Sequence, residues 1–445
     1  VIDAQPTNRA FFSRDRHNVP KIYQIDNYGL SFREQWKLLQ HHIYKFSEEC
    51  KYLVVTDISN YYDSICVSEL RKVLSSHTQI NEVLVDLIFN IIAGISWTPD
   101  YLPYTGKGLP VSNIEGIRLL AHSMLYEIDR MIDRKARGSF VRWMDDIVIG
   151  VNKHKEGKDI IFAISEMLRS RGLALNLSKT DIYECNRGIK EFEIEENKYI
   201  DFITKEYVEN NNIQIPSDAY KRFKKHLKKH RTRYWDKVTK RYITFFAKSK
   251  YASLLNLVAS LYLTDVSLRP NLLWYLEAIG YRKKCKQVIL DILGSINVFD
   301  SISLFQISNL ITNWQIPTSV KERLFIDSVE SKLISFPFSE QMPMNFYSVI
   351  WFKAKYSDGI ALVEFLKRFQ NLWNGNDLLR RQAVTSLARL WNVDNKFVSK
   401  VLDAQIVSNS RGTISVASCI RMFAEAKSLE GKVNMYLFNR QATGA

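Results

Sequence analysis

Apolar positions change period along this chain of 445 residues. From about residue 50 to 185, short β-branched runs alternate with helical spacing. KYLVVTD ends on Asp57 and reads as a buried strand, with Val54 and Val55 suited to a pleated surface. VSELRKVLSS and INEVLVDLIFNIIAG follow with apolar residues at helical spacing, the second helix stopping at Gly94. Positions 114–134 keep the three- and four-residue step and predict one long helix. SFVRWM and IVIGV predict a hairpin with Asp145 and Asp146 at its turn. KDIIFAISEMLRSRG predicts a further helix ending at Gly172, and LALNLSKTDIYEC predicts extended chain after it. This order of strand, helices, hairpin, helix and strand predicts an α+β sheet with helices packed on one face.

Beyond about residue 243 the spacing is nearly all helical. ASLLNLVASLYL, NLLWYLEAIG, KCKQVILDILGSI and LLRRQAVTSLARLW have lengths and breaks that suggest stacked helix pairs. RRQAVTSLARLW has the character of a HEAT-like repeat, without a clean period. Such a half carries few polar clusters, which points to binding or assembly rather than catalysis.

Composition adds two constraints. Lys and Arg outnumber Asp and Glu by 62 to 47, a net charge of +15 that suggests a polyanionic partner. Residues 218–242 concentrate eleven of these cations around Tyr220, Phe223, Tyr234, Trp235 and Tyr242. Most charge runs are solvated helix faces, but cations mixed with rings suit single-stranded nucleic acid. Lys221, Arg222, Lys225, Lys228, Arg231 and Arg233 are the candidates there. Five dispersed cysteines (Cys50, Cys66, Cys185, Cys285 and Cys419) form neither a metal-ligand spacing nor an even disulfide set, so a reduced, cytoplasmic setting is expected. The start shows no signal-peptide pattern, and no apolar run is long enough for a bilayer, so no membrane partner is expected. The first residue, Val1, is not Met, which leaves room for native residues ahead of it.

Two acid-bearing segments carry the chemistry. In VVTDISNYYDSI, Asp57 closes a strand and Asp63 opens a helix; in VRWMDDIVIG, adjacent acids join two β-type runs. Either alone means little, because acids favour turns. Together in one α+β unit they put carboxylates from neighbouring strands at one end of a sheet, where they repel unless hard cations neutralise them. Mg²⁺ prefers a few carboxylate oxygens plus substrate phosphates, and two such ions serve an in-line phosphoryl displacement.

These segments resemble the palm of reverse transcriptases. DISNYYD is similar to motif A, GKGLPVSNIEGIRLLAHSML to motif B, RWMDDIVIG to motif C and RGLALNLSKTDIY to motif D, over roughly residues 45–190. The helical second half resembles the prokaryotic abortive-infection and defence-associated members, which join such a palm to a helical-repeat domain. No maturase, zinc-binding or HNH-nuclease motif speaks for an intron-type enzyme. The resemblance implies reverse-transcriptase fingers and palm over residues 1–215, then an all-helical domain over 216–445 entered through the basic segment 218–242.

Carried onto this chain, the resemblance makes Asp57 and Asp145 metal ligands, with Asp146 a supporting acid. It implies two Mg²⁺ ions, with Mn²⁺ a substitute, and dNTP and nucleic acid as partners. Tyr62 stands where an aromatic meets the sugar of the nucleotide, and a ring there occupies the space of a ribose 2′-hydroxyl. Ile58 belongs to the same substrate edge. Either Tyr61 or Tyr62 must be core. Lys179 stands where motif D supplies a general acid near the pyrophosphate, although a solvated lysine after a turn has the same appearance. Asn176 and Thr180 are expected to shape that turn. Pro110, Val111 and Ser112 replace the usual Pro-Gln-Gly of motif B, which leaves template use open while Pro110 and Ser112 stay at the substrate. Arg14, Arg16 and Lys21 are within reach of a triphosphate or else solvated.

The reading is an RNA-directed or template-independent DNA polymerase in phage defence, assembling as a homo-oligomer through exposed aromatics of the helical half. The basic stretch suits a template, a structural RNA or a single-stranded product equally. The alternative is a catalytically idle palm that serves as a nucleic-acid scaffold, against which the three retained acids speak.

Overall fold

A computed structural model describes residues 4–12, 32–96, 106–110, 114–210, 212, 214–295, 300–337, 339, 343–408 and 411–425. The chain forms two compact units: Val1–Lys198 with Arg231–Trp235, and Tyr199–His230 with Asp236–Ala445.

The first unit is built on a five-stranded sheet of β1 (Ala10–Phe11), β2 (Tyr52–Thr56), β3 (Phe140–Trp143), β4 (Asp146–Val151) and β5 (Asp181–Glu184). Its spatial order is β1-β3-β4-β2-β5. The β1–β3 pair is parallel and the other three pairs are antiparallel. β2 lies against β4 from Tyr52↔Val151 to Thr56↔Ile147.

Helices cover both faces of this sheet, not one. Val54, Phe140, Ile147 and Ile149 pack with Ile128, Ile132, Ile160 and Ile164 of the helices Tyr126–Ala136 and His154–Ser170. Leu53, Val55, Val141 and Val148 pack on the other side with Leu39, Ile43 and Phe46 of the helix Phe32–Glu49. The runs LVV and IVIGV are continuously apolar rather than alternating, which is what burial on both faces requires. Gly157 lets the helix His154–Ser170 approach closely, since a Cβ there would stand 2.9 Å from Val54 and Ile182 side-chain atoms.

The segment expected to be one helix over 114–134 is two, Glu115–Ser123 and Tyr126–Ala136. Met124 and Leu125 turn the chain with amide bonds to Ala121 and His122, three residues back. Both residues are buried like their neighbours, so the apolar pattern runs through the break unmarked. The helix Glu82–Ile95 starts at Asn81, whose side chain accepts from the Val83 amide, and passes one residue beyond Gly94.

In the second unit every described element is helical. Several helices pack on the next but one: Leu255–Thr264 on Lys283–Ser295, Arg269–Ile279 on Ser301–Asn313, and Ser301–Asn313 on Pro343–Tyr356, while Asn395–Ile406 packs on its neighbour Arg411–Glu425. Among the described residues no helix is long and apolar enough to cross a membrane.

Candidate active site

The site lies where β2 ends beside the β3–β4 hairpin. The register closes at Trp143↔Asp146, so Met144 and Asp145 form a two-residue turn. Met144 takes a left-handed φ of 52°, a strained choice for a non-glycine residue. Its amide donates to the Phe11 carbonyl at 2.9 Å, and its own carbonyl accepts from Arg142 Nη1 at 2.8 Å. The turn that presents Asp145 is therefore clamped from both sides.

Asp57 follows β2 one step beyond the Thr56↔Ile147 pair, and its side chain is buried. The segment predicted as motif D packs along it. The Asn176 amide donates to the Asp57 carbonyl at 2.8 Å, and Asn176 Nδ2 donates to Asp57 Oδ2 at 3.2 Å. Lys179 Nζ reaches the same carboxylate oxygen at 2.8 Å. Thr180 bonds the Asn176 carbonyl and meets Thr56 Oγ1 at 2.7 Å, so it shapes the turn and fastens it to β2. Asn176 does more than shape the turn, because its amide orients a candidate ligand.

Asp57 comes within hydrogen-bonding range of Asp145. Burial, then the charges of Asp146 and Asp57, push the Asp145 carboxyl up to about 7. A carboxyl so placed resists ionisation until positive charge arrives. Hard oxygen donors with surplus negative charge fit a divalent cation such as Mg²⁺. Among the described residues no three His, Cys, Asp or Glu side chains converge as a ready ion cage. Asp146 instead meets Arg233, with Nη2 at 3.4 Å from Oδ1. Asp57 and Asp145 thus face each other, with Asp146 to one side.

Of the two adjacent tyrosines, Tyr61 is the core residue, buried with its hydroxyl donating to the Ala121 carbonyl. Tyr62 is half-buried, its ring 5.5 Å from that of Tyr61. Burial and the nearby charge of Asp145 raise its phenol to about 12, with Arg118 acting in the opposite direction. Tyr62 therefore keeps its hydroxyl proton and presents a neutral ring beside the acids. Arg118, on the helix Glu115–Ser123, was not predicted; its spacing is that of any amphipathic helix.

The remaining candidates divide. The Leu109 amide donates to the Tyr62 carbonyl at 3.0 Å, which brings the segment before Pro110 to the site edge. Ile58 is a correction: its side chain is 1% exposed in the core and its backbone bridges to Leu175, so no side-chain surface remains for substrate. Ser112, Arg14, Arg16 and Lys21 lie outside the described residues.

Four of the five rings of the basic stretch are a second correction, Tyr220 alone of them being half-buried. Phe223, Tyr234, Trp235 and Tyr242 are all buried, and their apolar area went into the cores rather than onto a stacking surface. The cations are more available. Lys221, Lys225 and Lys228 are exposed on one side of the helix Gln214–Lys228, with Lys221 paired to Asp218. Arg222 is half-buried over the Tyr199 ring. Arg231 is exposed over Trp235. Arg233 belongs to the first unit and reaches the acid site, where no feature of the charge run predicted it.

A mixed sheet presenting acids from two adjacent strands, under a covering of helices, is the arrangement of a palm-type nucleotidyltransferase. The sequence profile described as reverse transcriptase (RNA-dependent DNA polymerase) matches residues 9–239, more than half of the chain. The protein belongs to the reverse transcriptase family and is an RNA-directed DNA polymerase of the nucleotidyltransferase class. No curated protein matches the sequence.

Proposed function

We propose that this reverse transcriptase extends DNA at Asp57, Asp145 and Asp146 with two divalent ions, and that it acts in antiviral, abortive-infection defence. The supporting observation is that the half-buried Asp145, on the hairpin turn, faces Asp57 at the end of the neighbouring strand, where burial and the charges of Asp146 and Asp57 push its carboxyl up to about 7. Two carboxylates set face to face, with a third beside them, repel one another unless positive charge arrives between them.

Asp57 and Asp145 are the ligands in this reading, and Asp146 supports them. Mg²⁺ ions bound there, or Mn²⁺ in their place, supply charge that activates a 3′-hydroxyl and stabilises the leaving pyrophosphate. Asn176 holds the Asp57 carboxylate in orientation through its 3.2 Å bond. Lys179, more than half exposed and paired with Asp57, hands a proton to the pyrophosphate in this reading once substrate draws it from Asp57. Tyr62 fills the space of a ribose 2′-hydroxyl and so selects dNTPs, with the segment at Pro110 bordering it. The exposed row Lys221, Lys225 and Lys228 supplies sequence-independent attraction for template, structural RNA or product.

The defence assignment rests on family resemblance and on the layout of a palm followed by a helical unit, several of whose helices pack on the next but one. Unpaired cysteines at all five positions support a reduced, cytoplasmic setting. Homo-oligomerisation is supported less by the helical unit, where Phe202 and Trp274 are the exposed rings among the described residues, than by the helix Glu82–Ile95. That helix leaves Val83, Leu84, Leu87, Ile91 and Ile95 exposed in one stripe.

The test is incorporation of labelled dNTPs by the purified chain with Mg²⁺, against the Asp145→Ala/Asp146→Ala protein. Incorporation lost in the double variant supports the reading. A chain that incorporates nothing, even with nucleic acid from its native host, is a binding scaffold.

A further inference from the structure

We infer that Arg233 binds the β- and γ-phosphates of the incoming nucleotide, and the pyrophosphate released from them, rather than the nucleic-acid backbone. The inference rests on the acid site proposed above.

Arg233 arrives from a distant part of the sequence on a short strap, Arg231–Trp235, that belongs to the first compact unit. The strap is fixed by its backbone and by one ring. The Arg233 amide donates to Glu191 Oε2 at 3.1 Å and the Tyr234 amide to the Glu191 carbonyl at 3.1 Å. Thr232 Oγ1 donates to Glu193 Oε1 at 2.6 Å. The buried Tyr234 ring stacks on Trp36, with centroids 5.6 Å apart, and stands edge-on to Phe192. Trp36 in turn stands edge-on to Trp143, the last residue of β3 before the acid-bearing turn. Backbone and ring contacts therefore hold the root of Arg233 in register with Asp145 and Asp146.

The guanidinium is held less firmly than its root. Its side chain is 13% exposed, with one nitrogen 3.4 Å from Asp146 Oδ1 and another donating to the Lys179 carbonyl at 2.5 Å. A guanidinium bonds an anion best through two parallel contacts below 3 Å, and Arg142 does so with Asp129 at 2.7 and 2.6 Å in this same unit. The contact of Arg233 to Asp146 is single and long, and its other terminal nitrogen rests on a neutral carbonyl, so a better-matched anion can take over the fork. Lys179 stands beside it, its Nζ on Asp57. Two cations thus flank the acids, and the anion that this chemistry calls to the acids is a nucleotide triphosphate. A phosphate accepts the fork that a lone carboxylate oxygen does not.

The experiment compares wild type, Arg233→Met and Arg233→Lys, all retaining the Tyr234 anchor. Inorganic pyrophosphate binding is measured by calorimetry with Mg²⁺ and no primer, dNTP KM and kcat by incorporation, and affinity for a labelled single-stranded oligonucleotide by polarisation. Losing one charge-assisted pair predicts pyrophosphate Kd and dNTP KM up by about tenfold or more in Arg233→Met. Arg233→Lys, which keeps charge without the fork, is expected to show a smaller rise, and oligonucleotide affinity stays as in wild type. If Arg233→Met loses its thermal transition, Arg233→Lys decides by the same ratios. Unchanged pyrophosphate Kd and dNTP KM in a folded variant overturn the inference. So does a loss of oligonucleotide affinity with pyrophosphate binding intact. A wild type that neither incorporates dNTPs nor binds pyrophosphate overturns the polymerase reading itself, whereas normal wild-type behaviour with an indistinguishable Arg233→Met overturns this inference alone.

Discussion

Arg142 and Asp129 form a fully buried ion pair directly behind the turn that carries Asp145. Nε donates to Oδ1 at 2.7 Å and Nη2 to Oδ2 at 2.6 Å, with neither side chain exposed. Burial disfavours the guanidinium charge, and Asp129 more than offsets it, so Arg142 stays protonated. Its remaining nitrogen, Nη1, holds the Met144 carbonyl and meets His122 Nδ1 at 3.3 Å.

Removing one partner of a buried pair strands the other charge and costs about 3–5 kcal/mol, whereas replacing both by apolar residues can be nearly neutral. Asp129→Ala is therefore expected to lower stability by about 3–5 kcal/mol in denaturant melts. The Asp129→Leu/Arg142→Met double variant should recover much of that loss but not the incorporation rate, because the Met144 carbonyl has lost its donor. A double variant with wild-type kcat would show that the clamp does not position the turn.

The same cluster predicts a stability loss in mild acid. Burial, then the charge of Arg142, hold the His122 imidazole well below its ordinary value. The folded state therefore refuses a proton that the unfolded chain accepts below about pH 6.5. Stability contributed by neutral His122 is present above that pH and is lost as pH falls through it. Between pH 6.5 and 5 this contribution falls by up to about 1.4 kcal/mol per pH unit. Melts of His122→Asn across pH 5–7 should show a shallower slope than wild type, and equal slopes would remove His122 as the source.

Tyr62→Ala opens the space beside the nucleotide sugar. Pocket discrimination of this kind is worth roughly 1–3 kcal/mol, so the preference for dNTP over NTP should fall by about 10–200-fold in competing incorporation assays. Ribonucleotides excluded as strongly as before would take sugar selection away from Tyr62.

Lys225 and Lys228 are exposed on the helix Gln214–Lys228, where they would meet phosphates without reading bases. Replacing each by Ala should reduce the slope of log K against log salt for a single strand by about 0.7. An unchanged slope would assign the row to solvent.

Much of the first unit was legible because its chemistry is local. Strands that end in acids, a hairpin turned by Asp145, and helices between them follow from period and β-branching over short windows. What stayed hidden depends on contacts between distant residues. Arg142 reads as a solvated strand residue, since nothing near it announces Asp129 or total burial. The strap Arg231–Trp235 reads as part of a cationic helix, yet Tyr234 anchors it beside Trp36 and sends Arg233 to Asp146. Phe223 and Tyr242 looked like stacking platforms because a ring among cations has one appearance in sequence whether it faces solvent or core. The second face of the sheet was legible in principle, since LVV and IVIGV lack the alternation of a half-exposed strand.

The most direct measurement is labelled-nucleotide incorporation by the purified chain with Mg²⁺, each dNTP and NTP tested with and without added RNA, followed by sequencing of any product. The account predicts dNTP incorporation by wild type and none by a folded Asp145→Ala/Asp146→Ala variant. Full incorporation by that variant would contradict the assignment of the site.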